Sequence, residues 1–331
     1  MFEIKKKVVF FLEGSFHLRF LMPLIKKVID DNYIDYQIIS LENFNIPNVK
    51  NSNFKFIEKK NINKFLLELE ADYFITTTPG VGYSYFPKSR VLPKKNRPKY
   101  IYVFHSLVSP NQVYAKNSFN KFDIIFSPNS IISEQLKVLV SKKTKILTTG
   151  YPLFLNKFQN ENYDRSNKNI LIAPSWGEKN FLTNDNFMNK LISFLKVEKA
   201  NIFVRPHPML KNLVNSSSFK IDESVNPDFH SYDCLFTDWS GIALEFYFLK
   251  RQKVFFVDSP KKIRRKITKE ERQYDLIENK IRTEIGEIIK FDQNLNISVD
   301  FNNLRIDQSP YVEDLYQPLF NLKKFYDYID V

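Results

Sequence analysis

Two short runs place groups able to hold phosphate and move protons at the ends of apolar segments. In Asn201-Ile-Phe-Val-Arg-Pro-His-Pro208 the apolar residues stop at Arg205, whose guanidinium is a planar donor fork for phosphate, and at His207, which titrates near neutrality. The flanking prolines restrict the backbone around the imidazole, which suits a pre-positioned side chain. In Asp233-Cys-Leu-Phe-Thr-Asp-Trp-Ser-Gly-Ile-Ala-Leu-Glu245 an apolar strand ends in a polar turn, and a segment with helical spacing follows. The first amides of a helix lack internal partners and lie at the positive end of its dipole, so such a turn can receive an anion. Ser240 adds a hydroxyl, and Gly241 lets the backbone approach a ligand closely. Taken alone, Asp238 or Ser240 would read as a helix cap. The Arg-His run upstream favours the functional reading, because the strand ends of a parallel sheet line one crevice.

The Arg205-Pro-His-Pro208 and Thr237-Asp-Trp-Ser-Gly-Ile-Ala-Leu-Glu245 runs resemble two signatures of the CDP-glycerol glycerophosphotransferase family, whose members polymerise teichoic acids and related capsule polymers. Phe104-His105-Ser106, Gly150-Tyr151-Pro152 and Ile170-Leu-Ile-Ala-Pro-Ser-Trp176 keep the family's order. The resemblance implies that His105 activates the acceptor, although Phe104 and Ser106-Leu107 stand where the family has Trp and Gly-Thr. It also implies an acidic residue at the position of Glu245, placed to accept both ribose hydroxyls of a donor. Arg205, His207, Asp238, Ser240 and Gly241 would bind the donor phosphates, with His207 also able to protonate them. A further candidate is His17, in the Glu13-Gly-Ser-Phe-His17 loop after the first strand. A loop at that place faces the crevice of a doubly wound domain, and a plain helix-start role fits it equally.

Around these residues, strand and helix signals alternate, which favours α/β architecture with parallel sheets. Strands are expected at 7–12, 36–41, 72–76, 99–104, 123–127, 145–149, 169–173, 201–204, 234–237 and 253–257. Helices are expected at 17–29, 133–140, 185–196 and 242–250, and the segment from Tyr311 to Ile329 reads as helical around Pro318. A polar stretch, Tyr151–Lys168, marks the boundary between two units of ordinary domain size. The expected organisation is an acceptor-side Rossmann-like domain at 1–155, a nucleotide-donor domain at 156–310, and a terminal helix at 311–331 that packs back on the first domain. Two doubly wound domains facing across a cleft form the GT-B architecture, which the resemblance also implies.

Composition narrows the function. The chain has 331 residues, 43% of them hydrophobic, so a folded globular protein is expected. Its one cysteine, Cys234, sits within an apolar strand, which excludes a disulfide and a cysteine zinc site. Neither a Walker A loop nor a Gly-x-Gly-x-x-Gly or Asp-x-Asp motif occurs, and only seven glycines are present. No cofactor or metal is therefore expected, and leaving-group charge would fall to Arg205, Ser240 and the helix start. The N-terminal segment reads as a first strand rather than a signal peptide, and no apolar run approaches the ~20 residues of a membrane span.

The net charge of +12 calls for an anionic partner. A nucleotide-activated donor (a CDP-alditol or a nucleotide sugar), a polymer or lipid-linked acceptor, and an anionic membrane surface all fit, whereas no nucleic-acid motif accompanies the charge. The densest basic cluster is Lys261–Lys266. The expected location is the cytoplasm, including the inner face of the plasma membrane. The leading expectation is alditol-phosphate transfer from a CDP-activated donor to an acceptor hydroxyl, releasing CMP. The alternatives are a nucleotide-sugar transferase on the same fold, a UDP-sugar 2-epimerase, and a non-catalytic nucleotide-binding partner in a capsule assembly complex.

Overall fold

A computed structural model describes residues 5–31, 34–81, 97–115, 117–155, 168–177, 180–207, 210, 218–261, 267–290, 299–301, 303–304, 306 and 309–329. The first sheet contains β1 (Lys6–Leu12), β2 (Ile34–Ser40), β3 (Phe54–Phe56), β4 (Tyr73–Thr76), β5 (Lys99–Val103), β6 (Ile124–Ser127) and β7 (Lys145–Thr148). The second contains β8 (Asn169–Ile172), β9 (Asn201–Val204), β10 (Lys220–Ile221), β11 (Cys234–Thr237), β12 (Val254–Val257) and β13 (Gly286–Ile289). Connecting helices are α1 (Leu18–Ile29), α2 (Ile62–Glu68), α3 (Pro110–Val113), α4 (Ser130–Lys137), α5 (Asp185–Val197), α6 (Ile242–Lys250) and α7 (Ile277–Glu284). Two more, α8 (Pro310–Leu315) and α9 (Leu322–Ile329), close the described chain.

Each strand pairing within the two sheets is parallel, in the orders β3-β2-β1-β4-β5-β6-β7 and β10-β9-β8-β11-β12-β13. Strand order reverses between β1 and β4 in one sheet and between β8 and β11 in the other. Those are the switch points at which doubly wound domains bind ligands. The expected pair of Rossmann-like units is therefore borne out. Helices cover both faces of such sheets, which explains why Val8 through Leu12 form an unbroken apolar run without solvent exposure.

The helices follow their apolar faces and caps. In α1, burial of Phe20, Leu21, Leu24, Ile25 and Val28 carries the helix through Pro23. Helix α4 begins three residues before its expected start, because the Asn129 side chain accepts from the Ile132 amide at 2.8 Å and caps it there. The C-terminal segment is two helices rather than one. Pro318 lacks an amide proton and crowds the residue before it, so the helical run breaks between Leu315 and Leu322. Most of the boundary expected at Tyr151–Lys168 lies outside the described residues.

The two units pack on one another. A single core cluster includes Phe11, Phe74 and Tyr102 of the first sheet together with Leu171, Leu235 and Phe256 of the second. Helix α6 lies inside this cluster and is apolar almost all round, as a helix buried on every side must be. Phe154 stacks on Phe248 with ring centroids 3.9 Å apart, and Tyr316 closes the edge at 5.2 Å from Phe154. Helix α9 covers the outer face of the first sheet, where Phe325 meets Phe126 at 5.7 Å.

Two backbone details hold this arrangement. Gly150 has φ +92°, and a Cβ there would lie 2.5 Å from the Phe320 backbone, so only glycine lets the C-terminal chain approach. Across the domains, the Ser109 hydroxyl accepts from the Ile277 amide at 2.9 Å, and Glu278 accepts from the Ser109 amide at 2.8 Å. This is the reciprocal arrangement of a capping box, with the serine supplied by the other domain.

Candidate active site between the two sheets

Strand β5 delivers His105 to the strand-end crevice. Its predecessor Phe104 is buried against Tyr102, Tyr114 and Phe119, which leaves His105 at the rim of an aromatic wall. The imidazole lies 5.6 Å from the Phe20 ring and 5.5 Å from the His17 ring. Its Nδ1 is 3.1 Å from the Tyr102 hydroxyl. Burial, with the nearby Arg19 guanidinium adding to it, lowers its pKa to about 4. The ring is thus neutral at physiological pH and has a lone pair to offer.

His17 arrives from the turn that links β1 to α1. It is 4% exposed, and its Nδ1 has no hydrogen-bond partner among the described residues. Burial, followed by the charge of a protonated His105, holds its pKa well below the ordinary value. The structure therefore brings together the two histidines expected of the first domain.

The second domain reaches this pair through α6. Arg19, two residues past His17, forms an ion pair with Glu245, and both side chains are only 10% exposed. Glu245 also accepts from the Tyr151 hydroxyl at 2.7 Å, and that hydroxyl lies 3.1 Å from the His105 carbonyl. Burial and the adjacent Glu245 push the Tyr151 phenol well above its usual range, so it remains protonated. Ahead of this, Gly241 meets the His105 loop closely. A Cβ on Gly241 would lie 3.3 Å from the Leu107 amide nitrogen and 3.5 Å from the Ser106 hydroxyl. The Ser240 hydroxyl stands 3.5 Å from the Ile242 amide, a long contact for a cap.

The other donor-side residues occupy neighbouring loops, with partners of their own. Asp238 is 2% exposed and accepts from the Ser175 amide at 2.7 Å, the Ser175 hydroxyl at 2.9 Å and the Ser259 hydroxyl at 3.3 Å. It ties together the loops after β8, β11 and β12. Burial raises its pKa, against the opposing effect of those hydrogen bonds. Arg205 donates to Asp222 and Ser224, each at 3.1 Å, and to the Val225 carbonyl at 3.4 Å. His207 lies on the same loop, with its ring 6.2 Å from that of Trp176. Of the basic cluster Lys261–Lys266, only Lys261 falls within the described residues. Its amine donates to Asn279 at 3.0 Å and sits 4.7 Å from the Trp239 ring, and burial lowers its pKa.

Arg19, Tyr102, Tyr114 and Tyr151 carry no local sequence signal of a site role. Tyr151 stood inside the Gly150-Tyr151-Pro152 run, and Arg19 two residues beyond His17, but neither position reveals a partner more than 90 residues away. Among the described residues no group of three or more His, Cys, Asp or Glu side chains gathers as a metal site.

Residues 5–269 match the profile of the CDP-glycerol:poly(glycerophosphate) glycerophosphotransferases. The chain belongs to that family. Two curated relatives are teichoic acid poly(glycerol phosphate) polymerases. The Staphylococcus epidermidis protein is 26% identical, over 43% of this chain and 24% of its own length. The Bacillus spizizenii protein is 24% identical, over 69% of this chain and 66% of its own length. The chain thus spans less than two thirds of either relative.

Solved structures support the fold. A variant of the wall teichoic acid polymerase TagF superposes with a TM-score of 0.55 at 17% identity, covering 97% of this chain and 84% of that one. The UDP-GlcNAc 2-epimerase of Methanocaldococcus jannaschii gives 0.59 at 16% identity, covering 97% and 99%. Both likenesses support the expected architecture of two Rossmann-like domains.

Proposed function

We propose that this chain transfers an alditol phosphate, of the glycerophosphate type, from a CDP-activated donor to the hydroxyl of a growing polymer or a lipid-linked acceptor. The observation that carries this reading is the close meeting of the His105 loop, beside His17 at the switch point of the first sheet, with the Ser240-Gly241 helix start at the switch point of the second. The first unit, residues 1–155, takes the acceptor and the second, 156–310, takes the donor. His105, neutral at working pH, accepts the proton of the attacking hydroxyl. The hydroxyl oxygen bonds to the phosphorus that bears the alditol, the bond from that phosphorus to the CMP oxygen breaks, and CMP leaves with the electron pair. Ser240, the Gly241 backbone and the first turn of α6 offset the charge on the departing phosphate. His207 faces the donor phosphates from the loop after β9, while Arg205 and Asp238 hold the loops that shape the donor side. Glu245 remains the candidate for the ribose hydroxyls, and a donor would there compete with Arg19 and Tyr151.

This rests on family membership together with the close approach of the His105 loop to the Ser240-Gly241 helix start. The likeness to a UDP-GlcNAc 2-epimerase supports a second reading, a nucleotide-sugar enzyme on the same fold. Purified protein incubated with CDP-glycerol, CDP-ribitol and UDP-GlcNAc, each with a glycerol-phosphate polymer as acceptor, separates them. Release of CMP from a CDP-alditol, dependent on acceptor, is the expected result. Turnover of UDP-GlcNAc alone would replace the first reading with the second. Binding of CDP-glycerol without any turnover would favour a non-catalytic assembly partner.

We further infer a place at the inner face of the plasma membrane. No described helix is long and apolar enough to cross a membrane. The net charge of +12 supplies the attraction to anionic lipid. Co-sedimentation with anionic vesicles should fall as salt rises, since the screening length drops from about 10 Å at 0.1 M to about 3 Å at 1 M. Equal recovery with neutral and anionic vesicles at low salt would remove the membrane from this reading.

A further inference from the structure

A histidine that takes a proton through one ring nitrogen must be told which nitrogen to use, and the partner of the other nitrogen does this. In metal sites and in serine hydrolases that partner is usually a carboxylate or a carbonyl. Among the described residues no carboxylate is hydrogen-bonded to His105. The group at its Nδ1 is a phenol, that of Tyr102, 3.1 Å away. We propose that Tyr102 is a positioning residue that holds the Nδ1 proton of His105 and so leaves Nε2 as the atom that receives the acceptor's proton. The proposal rests on the transferase reading given above and adds to it the origin of the reactive tautomer.

The phenol is held firmly. Tyr102 is fully buried on β5, three residues before His105, with the rings of Phe119 and Phe122 each 5.1 Å away and that of Phe104 at 5.7 Å. It cannot swing aside without opening that cluster. Burial and the nearby Tyr114 keep its hydroxyl protonated, so it acts as a neutral hydrogen-bonding group and never as a phenolate base. A protonated phenol in contact with Nδ1 has two arrangements. If its proton points at Nδ1, the ring proton must sit on Nε2 and the base is disabled. If its proton points elsewhere, the phenol oxygen accepts from Nδ1–H and the Nε2 lone pair is free.

The structure supplies that other direction. The Tyr114 hydroxyl lies 3.5 Å from the Tyr102 hydroxyl, at the far end of the contact range, and gives the Tyr102 proton a second acceptor. Tyr114 thereby biases Tyr102, and Tyr102 sets His105. Other polar groups near the imidazole include His17 on the turn before α1, Arg19 on α1, Glu245 on α6 behind Arg19, and the Tyr151 hydroxyl, which meets the His105 carbonyl. Each lies outside the Nδ1 contact, and the cation among them opposes protonation of the ring. A phenol can thus orient the base without raising its basicity, as a carboxylate would.

The test reads the tautomer directly. Nitrogen NMR of 15N-histidine-labelled protein, with His105 assigned from the His105→Ala spectrum, should show a proton on Nδ1 in the wild type. Tyr102→Phe should give a mixture of tautomers, and Tyr114→Phe should move the population toward the Nε2–H form. In the same variants kcat should fall about tenfold to a hundredfold, with the KM for donor changed less than about twofold. An Nε2 proton in the wild type would overturn the proposal, as would a Tyr102→Phe protein with unchanged tautomer and wild-type kcat. Because the spectra require no turnover, loss of the transferase reading would leave this result standing. Conversely, a transferase insensitive to both substitutions would keep its function and lose its tyrosine relay.

Discussion

At the scale of single residues, His105 is the position where geometry and charge agree. His105→Ala should lower kcat by ~10²–10⁴ and leave donor affinity nearly intact, measured as CMP release against donor concentration. Its depressed pKa has two consequences. The acid limb of kcat/KM should fall near pH 4 instead of near the ordinary 6.5. The unfolded chain binds this proton first as pH falls, so the stability contributed by the neutral ring is complete above 6.5 and is lost on the way down to about 4. His17 acts in the same direction. Urea midpoints at pH 7 and pH 5 should therefore converge partly in His105→Ala; an unchanged gap would show that the ring is not buried in solution. The sequence pointed to His17, Ser240 and Gly241 by residue type and place at a strand end, and to His105 by the family resemblance, and the structure brings the loops that carry them together. It could not find the partners of Asp238, Arg205 and Glu245. Ser175 lies 63 residues from Asp238 and Arg19 lies 226 residues from Glu245, and no local pattern encodes such meetings.

At the scale of elements, strands carried by apolar runs are the legible part. Asn201–Val204 and Cys234–Thr237 are bounded where their apolar runs end. The short strands Phe54–Phe56, Lys220–Ile221 and Gly286–Ile289 give no clear signal, since all three are sheet edges with polar residues and none has a long apolar run. Helix α4 was shifted because the cap, and not the apolar pattern, sets its start. The Gly150-Tyr151-Pro152 run carries a backbone requirement that is now physical. Gly150→Ala should destabilise the protein by about 1–3 kcal/mol, through the left-handed φ and the clash with Phe320. Thermal unfolding would measure it. A midpoint equal to the wild type would mean that the C-terminal segment is not held against this turn.

At the scale of the whole molecule, the buried Arg19–Glu245 pair joins α1 of one domain to α6 of the other. Removing one partner leaves a charge in a site that is 10% exposed, which typically costs about 3–5 kcal/mol. Glu245→Gln and Arg19→Met should each be strongly destabilising. The double variant should recover a large part of that loss, because the interaction and not either residue is being removed. Simple additivity in denaturant titrations would show that the two charges do not share one environment. The overall architecture was readable from alternating strand and helix signals. The closeness of the domains was not, because packing of Phe154 on Phe248 depends on how two folded units meet.

The serine borrowed across the domains gives that meeting a clock. Ser109 satisfies the amide that opens α7, so any motion that parts the domains must uncap this helix at Ile277. The Ile277 amide should then exchange its proton for deuterium at the rate at which the cleft opens, ahead of the rest of α7. A donor that draws the domains together would slow that one amide, and Ser109→Ala would make it exchange quickly whether or not donor is present. A single backbone proton would thus report the breathing of a two-domain protein, without any label placed in the cleft.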